Sequence, residues 1–212
     1  MKKIYSLALT FGLLYGANAQ NLENVKFGIK GGMNLSKMTN FTSKVGYHAG
    51  VKAELNLPQI SEGVFIEGAV LVSSKGAKLD YWGFGKSKVE AAYLEIPIQL
   101  GYKHSINSDM KLMGSFGPYF AYGLFGKQTI DYDWDGETDR EKYDTFGDEG
   151  LKRFDFGLGL SAGIEFKQKY QFSIGYDFGL MNIYNTSTDD EDTDITGSLK
   201  NSNLKISVAY LF

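Results

Sequence analysis

The chain has no cysteine, so neither disulfides nor thiolate metal sites are open to it. It has only two histidines, His48 and His104, and three prolines. Positive charge is not in excess: 22 Lys and Arg stand against 25 Asp and Glu, a net charge of −3. That balance argues against a nucleic-acid partner. Beyond residue 19 no run of about twenty apolar residues occurs, so no transmembrane helix is available. Glycine (26) and aromatics (15%) are abundant. Such aromatic richness fits amphipathic rings at membrane interfaces better than a soluble domain. The length suits one domain, or one barrel with long loops.

The N-terminus reads as a secretory leader. Met1-Lys2-Lys3 is positive, Ile4 to Gly16 is largely apolar, and Ala17-Asn18-Ala19 is a small-x-small cleavage site. The expectation is a signal peptide over 1–19 and a barrel domain over 20–212. Loss of Lys2 and Lys3 leaves 22 − 2 = 20 basic against 25 acidic residues, or −5 for the mature chain. No cysteine follows the site to carry a lipid anchor.

The mature chain is organised around Arg153 to Phe166. Phe154, Phe156, Leu158, Leu160, Ala162, Ile164 and Phe166 alternate with Arg153, Asp155, Gly157, Gly159, Ser161, Gly163 and Glu165. A period of two over this length predicts a long β-strand with two unlike faces. The same pattern predicts strands over 25–35, 45–57, 64–72, 92–102, 110–124, 153–166, 170–180 and 204–212. Pro97 lacks a ladder donor and predicts a bulge or a missing ladder bond. Three connections are short (58–63, 105–109, 167–169). Four are longer (36–44, 73–91, 125–152, 181–203). Eight strands with short turns at one end and long loops at the other predict an all-β, antiparallel up-and-down transmembrane barrel. An even strand count places both termini on the periplasmic side.

A lipocalin-like barrel alternates too, with its apolar face inside. Three features favour an apolar exterior. No charged residue falls on the apolar face of the eight strands, where each at mid-depth would cost about 2–4 kcal/mol. The polar face is crowded with glycine, as a narrow lumen requires. The chain ends on Phe212 after a perfectly alternating strand, which resembles the terminal signal of outer-membrane barrels.

Gly28-Ile-Lys-Gly-Gly-Met-Asn34, Tyr93-Leu-Glu-Ile-Pro-Ile98 and Phe154-Asp-Phe-Gly-Leu-Gly-Leu-Ser-Ala-Gly163 resemble the PorT-like outer-membrane β-barrel family of Bacteroidota. The resemblance covers essentially the whole mature chain. It implies an outer-membrane barrel and leaves the activity open. The name-giving member belongs to a protein-secretion system.

The lumen face is expected to hold Lys26, Lys30, Lys52, Lys103, Lys111, Arg153 and Lys205 with Glu54, Glu67, Glu95, Asp155, Glu165 and Asp177. Near balance of sign predicts an ion-pair network that plugs the barrel; the alternative is a gated ion path. Asp131, Asp133, Asp135 and Gly136 have the D-x-D-x-D-G form of a calcium loop, with Asp139 at its ninth position. Its twelfth residue is Lys142 where a bidentate Glu belongs, so a solvated acidic loop is favoured and no metal site is assigned. Asp189 to Asp192 is a second acidic run. Divalent cations bridging these loops to lipopolysaccharide are one expectation. Gly157 to Ala162 matches a dinucleotide fingerprint but lies inside a strand and opens no helix. His48 faces the lumen and His104 abuts a short turn, neither with a Ser or Asp partner by spacing, so no catalytic residue and no cofactor are assigned.

The expectation is therefore a monomeric outer-membrane barrel, not an enzyme, with a plugged polar lumen and acidic surface loops. Its role is structural or interactive, toward outer-membrane lipid, lipopolysaccharide and a surface or secretion-system protein of unknown identity. The alternatives are a narrow porin-like channel for ions or small molecules and, last, a lipid-modifying or proteolytic enzyme.

Overall fold

The computed structural model describes residues 24–39, 42–81, 85–134, 137–147, 150–183 and 199–212. The expected leader and the acidic run 189–192 lie outside these residues. Nine strands are described: β1 (Val25–Met38), β2 (Thr42–Asn56), β3 (Val64–Tyr81), β4 (Gly85–Ser105), β5 (Met110–Trp134), β6 (Glu137–Asp144), β7 (Phe154–Phe166), β8 (Tyr170–Gly179) and β9 (Asn201–Leu211).

Eight of them close a ring in the order β1-β2-β3-β4-β5-β7-β8-β9, and β9 pairs back onto β1 from Gly28↔Leu211 to Met38↔Asn201. Every pairing in the ring is antiparallel. Closure leaves no edge strand in the ring, so every backbone group there can be paired without water. The ninth strand, β6, stands outside the ring and pairs only with the far end of β5.

The faces are inverted relative to a soluble protein. Phe116, Leu160, Ile174 and Ile206 are more than half exposed, while Glu54, Glu95, Asp155 and Glu165 are buried. The alternation thus places hydrocarbon outside and charge inside, as in a bilayer-spanning barrel.

The short connections match the expected ones closely. Gly63 takes φ +105° and its carbonyl accepts Lys103 N–H, a conformation that favours glycine. Lys167 and Gln168 both take positive φ to turn β7 into β8. The Phe212 amide donates to Phe27 O at 2.9 Å and the Leu211 amide to Lys169 O at 2.8 Å. The Val25 and Phe212 ends therefore sit with the short turns at one end of the barrel.

The long connections correct the expectation. The stretch 73–91 is mostly strand, with β3 and β4 paired from Ser74↔Ala92 to Tyr81↔Gly85. β5 likewise runs past Leu124 to Trp134, and β6 folds back on it. Beyond the apolar belt the outward face carries Lys78, Lys88 and Glu90 instead of apolar residues. The alternation signal vanishes there while the backbone ladder continues. At Pro97 the β3–β4 ladder is interrupted between Gly68↔Ile98 and Leu71↔Glu95 with no change of register. The missing bond is the outcome there; a bulge falls instead at Ala92/Tyr93.

Candidate functional site

The lumen is layered. At the short-turn end, inward positions of β1, β2, β3, β4, β7 and β8 converge on one ion cluster. Lys52 Nζ donates to Glu67 Oε2 and to Gln171 Oε1, each at 2.6 Å. Lys30 Nζ reaches Glu67 Oε1 at 2.8 Å. Lys103 bridges Glu54 and Glu165, the latter at 2.5 Å. Gln171 Nε2 donates to Glu54 Oε2 at 2.9 Å and Glu165 Oε2 at 2.8 Å. Charges held in a low-dielectric interior persist only when paired and hydrogen-bonded like this.

The next layer centres on Lys205, which pairs with Glu95 and with Asp177 at 2.5 Å. Lys75 pairs with Glu95 from the other side at 2.7 Å and lies 4.7 Å from the Tyr119 ring centroid. An interior cavity of about 20 Å³ lies among Lys30, Gln99, Asp177, Lys205 and Ser207. It has room for one water-sized molecule.

His48 belongs to the same layer. Its Nδ1 lies 2.7 Å from Asn34 Oδ1 and its Nε2 lies 2.9 Å from Ser207 Oγ. Asn34 Nδ2 is turned away, donating to Ser73 Oγ and Ser74 O. Asn34 Oδ1 must then accept from His48 Nδ1–H, and the Ser207 hydroxyl donates to Nε2. Both ring nitrogens are committed to the wall. His104, by contrast, is exposed near the end of β4.

Asp155 carries no ion pair among the described residues. Its Oδ2 accepts from Asn201 Nδ2 at 2.9 Å and Tyr119 OH at 3.2 Å, within hydrogen-bond range for both.

Toward the loop end the lumen turns apolar. Met38, Ala77, Val89, Ala91, Tyr93, Tyr119, Phe146 and Leu151 form one buried cluster with Ile183. Phe146 and Leu151 come from the connection after β6, which folds into the barrel mouth. Phe146 meets Tyr93 edge-on with centroids 5.5 Å apart. Arg153 Nη1 donates to Gly123 O at 2.9 Å and Leu124 O at 3.1 Å, and its guanidinium lies over the Phe146 ring. Arg153 is therefore a latch on the mouth and not a lumen charge, because it precedes β7 and is exposed.

The remaining expected lumen charges divide similarly. Lys30, Lys52, Lys103, Lys205, Glu54, Glu67, Glu95, Glu165 and Asp177 come together as expected. Among the described residues Lys26 hydrogen-bonds only to Gln168, at the short-turn end, and Lys111 is half-buried there. Lys75 was missed because it fell in a stretch read as loop. The inward series Glu67, Ala69, Leu71, Ser73 continues to it and could have found it. The lumen glycines make room for rings as well as charges: Phe65 covers Gly101, and Phe146 covers Gly123.

Asp131 is not in a helix-flanked loop. It lies in β5 and accepts Arg140 Nε at 2.7 Å. Asp135 and Gly136 lie outside the described residues. Gly157 to Ala162 runs inside β7, as expected.

A family model described as outer membrane protein beta-barrel domain matches residues 7–185. No curated protein matches the chain. Among solved structures, Neisserial surface protein A is similar at 12% identity, with 89% of this chain and 97% of that one covered and a TM-score of 0.46. OprG of Pseudomonas aeruginosa is similar at 12% identity over 88% and 95%, TM-score 0.43. The attachment invasion locus protein Ail of Yersinia pestis is similar at 13% over 89% and 99%, TM-score 0.42.

Proposed function

The chain belongs to the outer membrane protein beta-barrel domain family, and from that premise we propose that it is a plugged barrel whose working surface is its loop end. The observation that carries this is the stack of barriers inside one lumen. An ion cluster around Lys103 and Lys52 is followed by the Lys75–Glu95–Lys205 bridge and then by the Phe146–Leu151 layer. An eight-stranded ring is just wide enough for its own side chains. The termini and the three short turns face the periplasm, and the β3–β4 and β5–β6 hairpins project outward from the cell. The role is structural or interactive, toward outer-leaflet lipid and a protein partner. Membership of the PorT-like group of Bacteroidota is supported by the motifs at 28–34, 93–98 and 154–163. No enzymatic role is assigned, since both His48 nitrogens are engaged by Asn34 and Ser207.

Single-channel recording of the refolded mature chain in a planar bilayer tests this. A silent bilayer, with folding confirmed by heat-shifted gel mobility, is the expected result. Discrete reproducible steps would instead establish the narrow channel.

A further inference from the structure

Above the apolar belt one cross-strand row of the projecting sheet has an unusual composition. The register runs Thr42↔Lys78, Lys78↔Lys88, Lys88↔Thr129 and Thr129↔Lys142. Five adjacent strands thus present Thr, Lys, Lys, Thr and Lys side by side, across about 19 Å at the usual strand spacing. Each of these side chains can donate, and none is an acid.

The row lies four residues beyond Ala92, where β4 leaves the apolar belt beside Phe125. That is about 13 Å along the strand, or about 10 Å of height at the usual barrel tilt of about 40°, which leaves the headgroup layer within reach of extended lysine side chains. Lys78, Lys88 and Lys142 are exposed. Lys78 and Lys88 are directly opposite in register, an arrangement that is destabilising for like charges. The row beneath supplies only partial compensation. Glu90 lies 3.0 Å from Lys88 Nζ but also 2.7 Å from Lys44 Nζ. Among the described residues no carboxylate lies in ion-pair range of Lys78 or Lys142. The next row out alternates in sign, Asp80↔Lys86↔Asp131↔Arg140, so a net-negative chain carries one strip of donors between two rows of mixed charge.

We propose that the Thr42–Lys78–Lys88–Thr129–Lys142 row docks the phosphates of lipopolysaccharide lipid A directly, with no bridging divalent cation. The row supplies ammonium and hydroxyl donors, and the phosphate supplies acceptors and the countercharge that Lys88 only shares with Lys44 through Glu90. This rests on the outward orientation of the loop end given above and is independent of whether the lumen conducts.

The test uses the refolded mature chain in neutral detergent, titrated with bisphosphorylated lipid A and followed by native mass spectrometry and by the heat-shift midpoint. Lipid A is expected to bind and to raise the midpoint, equally with and without chelator. The triple variant Lys78→Gln, Lys88→Gln, Lys142→Gln is expected to bind roughly 100-fold more weakly, at about fivefold per lysine. The corresponding triple Arg variant is expected to restore binding. Lys78→Gln alone, which keeps the sheet intact, is expected to unfold at a higher temperature without lipid A and to gain less from it. Binding that is unchanged in the triple Gln variant, abolished by chelator, or equal for dephosphorylated lipid A overturns the proposal. Protease access to the hairpins on intact cells tests the orientation separately.

Discussion

The ring of Phe146 occupies the space in which a side chain at Gly123 would begin: a Cβ there would meet Phe146 Cζ at 2.3 Å. The apolar layer in the barrel mouth thus depends on a missing side chain in β5. Gly123→Val is expected to push Phe146 out and loosen Arg153, which is latched to the carbonyls of Gly123 and Leu124. Overpacking of this kind costs about 1–3 kcal/mol. Faster tryptic cleavage after Lys152 or Arg153, with the bilayer still silent because the ion clusters remain, is the expected pair of results. Unchanged cleavage would show that Phe146 does not depend on Gly123.

Glu95 is shared by Lys75 and Lys205. Removing one partner of a buried ion pair typically costs about 3–5 kcal/mol, because the remaining charge is left uncompensated. Glu95→Gln is expected to lower the heat-shift midpoint strongly. Adding Lys75→Met should recover part of the loss, since it removes one stranded cation. A strictly additive double variant would rule out coupling between the two.

His48 serves as a strut between β1 and β9, through Asn34 and Ser207. His48→Ala is expected to cost about 1–3 kcal/mol, the usual cost of leaving buried partners unsatisfied. Its effect should be non-additive with Asn34→Ala. Additive losses in a double-mutant cycle would dissociate the two residues.

Glu90 lies above the apolar belt, and hydrogen bonds from Lys44 and Lys88 hold its carboxyl below the ordinary value of 4.5. A depressed carboxylate contributes stability that is fully present above its unfolded pKa and lost as pH falls through its folded one. The β3–β4 hairpin is therefore expected to loosen below about pH 4.5, as read by amide exchange at Ser74 to Lys78. Because Glu90 is about half exposed, the effect is small and screened by salt. Glu90→Gln should abolish that pH dependence, and persistence of the same profile in Glu90→Gln would assign it to another group.

The ring itself was legible because hydrocarbon enforces a strict rule on one face. From Phe154 to Phe166 each outward residue is apolar and the inward ones are small or charged, so strand, phase and exterior follow together. Beyond the apolar belt that rule lapses. Lys78 and Lys88 sit on a regular ladder, yet nothing in their polarity distinguishes ladder from loop, so β3 and β4 ran on unnoticed and Lys75 with them. The ion-pair plug was legible from the lumen charges, but its apolar layer at the mouth was not. Phe146 and Leu151 lie between strands, and only the empty side of Gly123, some twenty residues earlier, explains where they go. Arg153 continued the alternation by sequence, but β7 begins one residue later and frees it to cap carbonyls.

The seam of the ring joins the two ends of the strand series, Gly28 to Leu211 and Phe27 to Phe212. The pairing partner of β1 on that side is thus the last of the described strands in chain order. Until it arrives, β1 and β8 each present an open ladder with nothing to pair with, and the greasy exterior has no lipid to face. The long-range pairing that completes the wall also carries the largest loop-closure cost, so closure is expected to be slow. Closure of the ring is therefore expected to be a single late event in folding. Trimming residues from the end of β9 removes the rungs that close the seam at its Gly28↔Leu211 end.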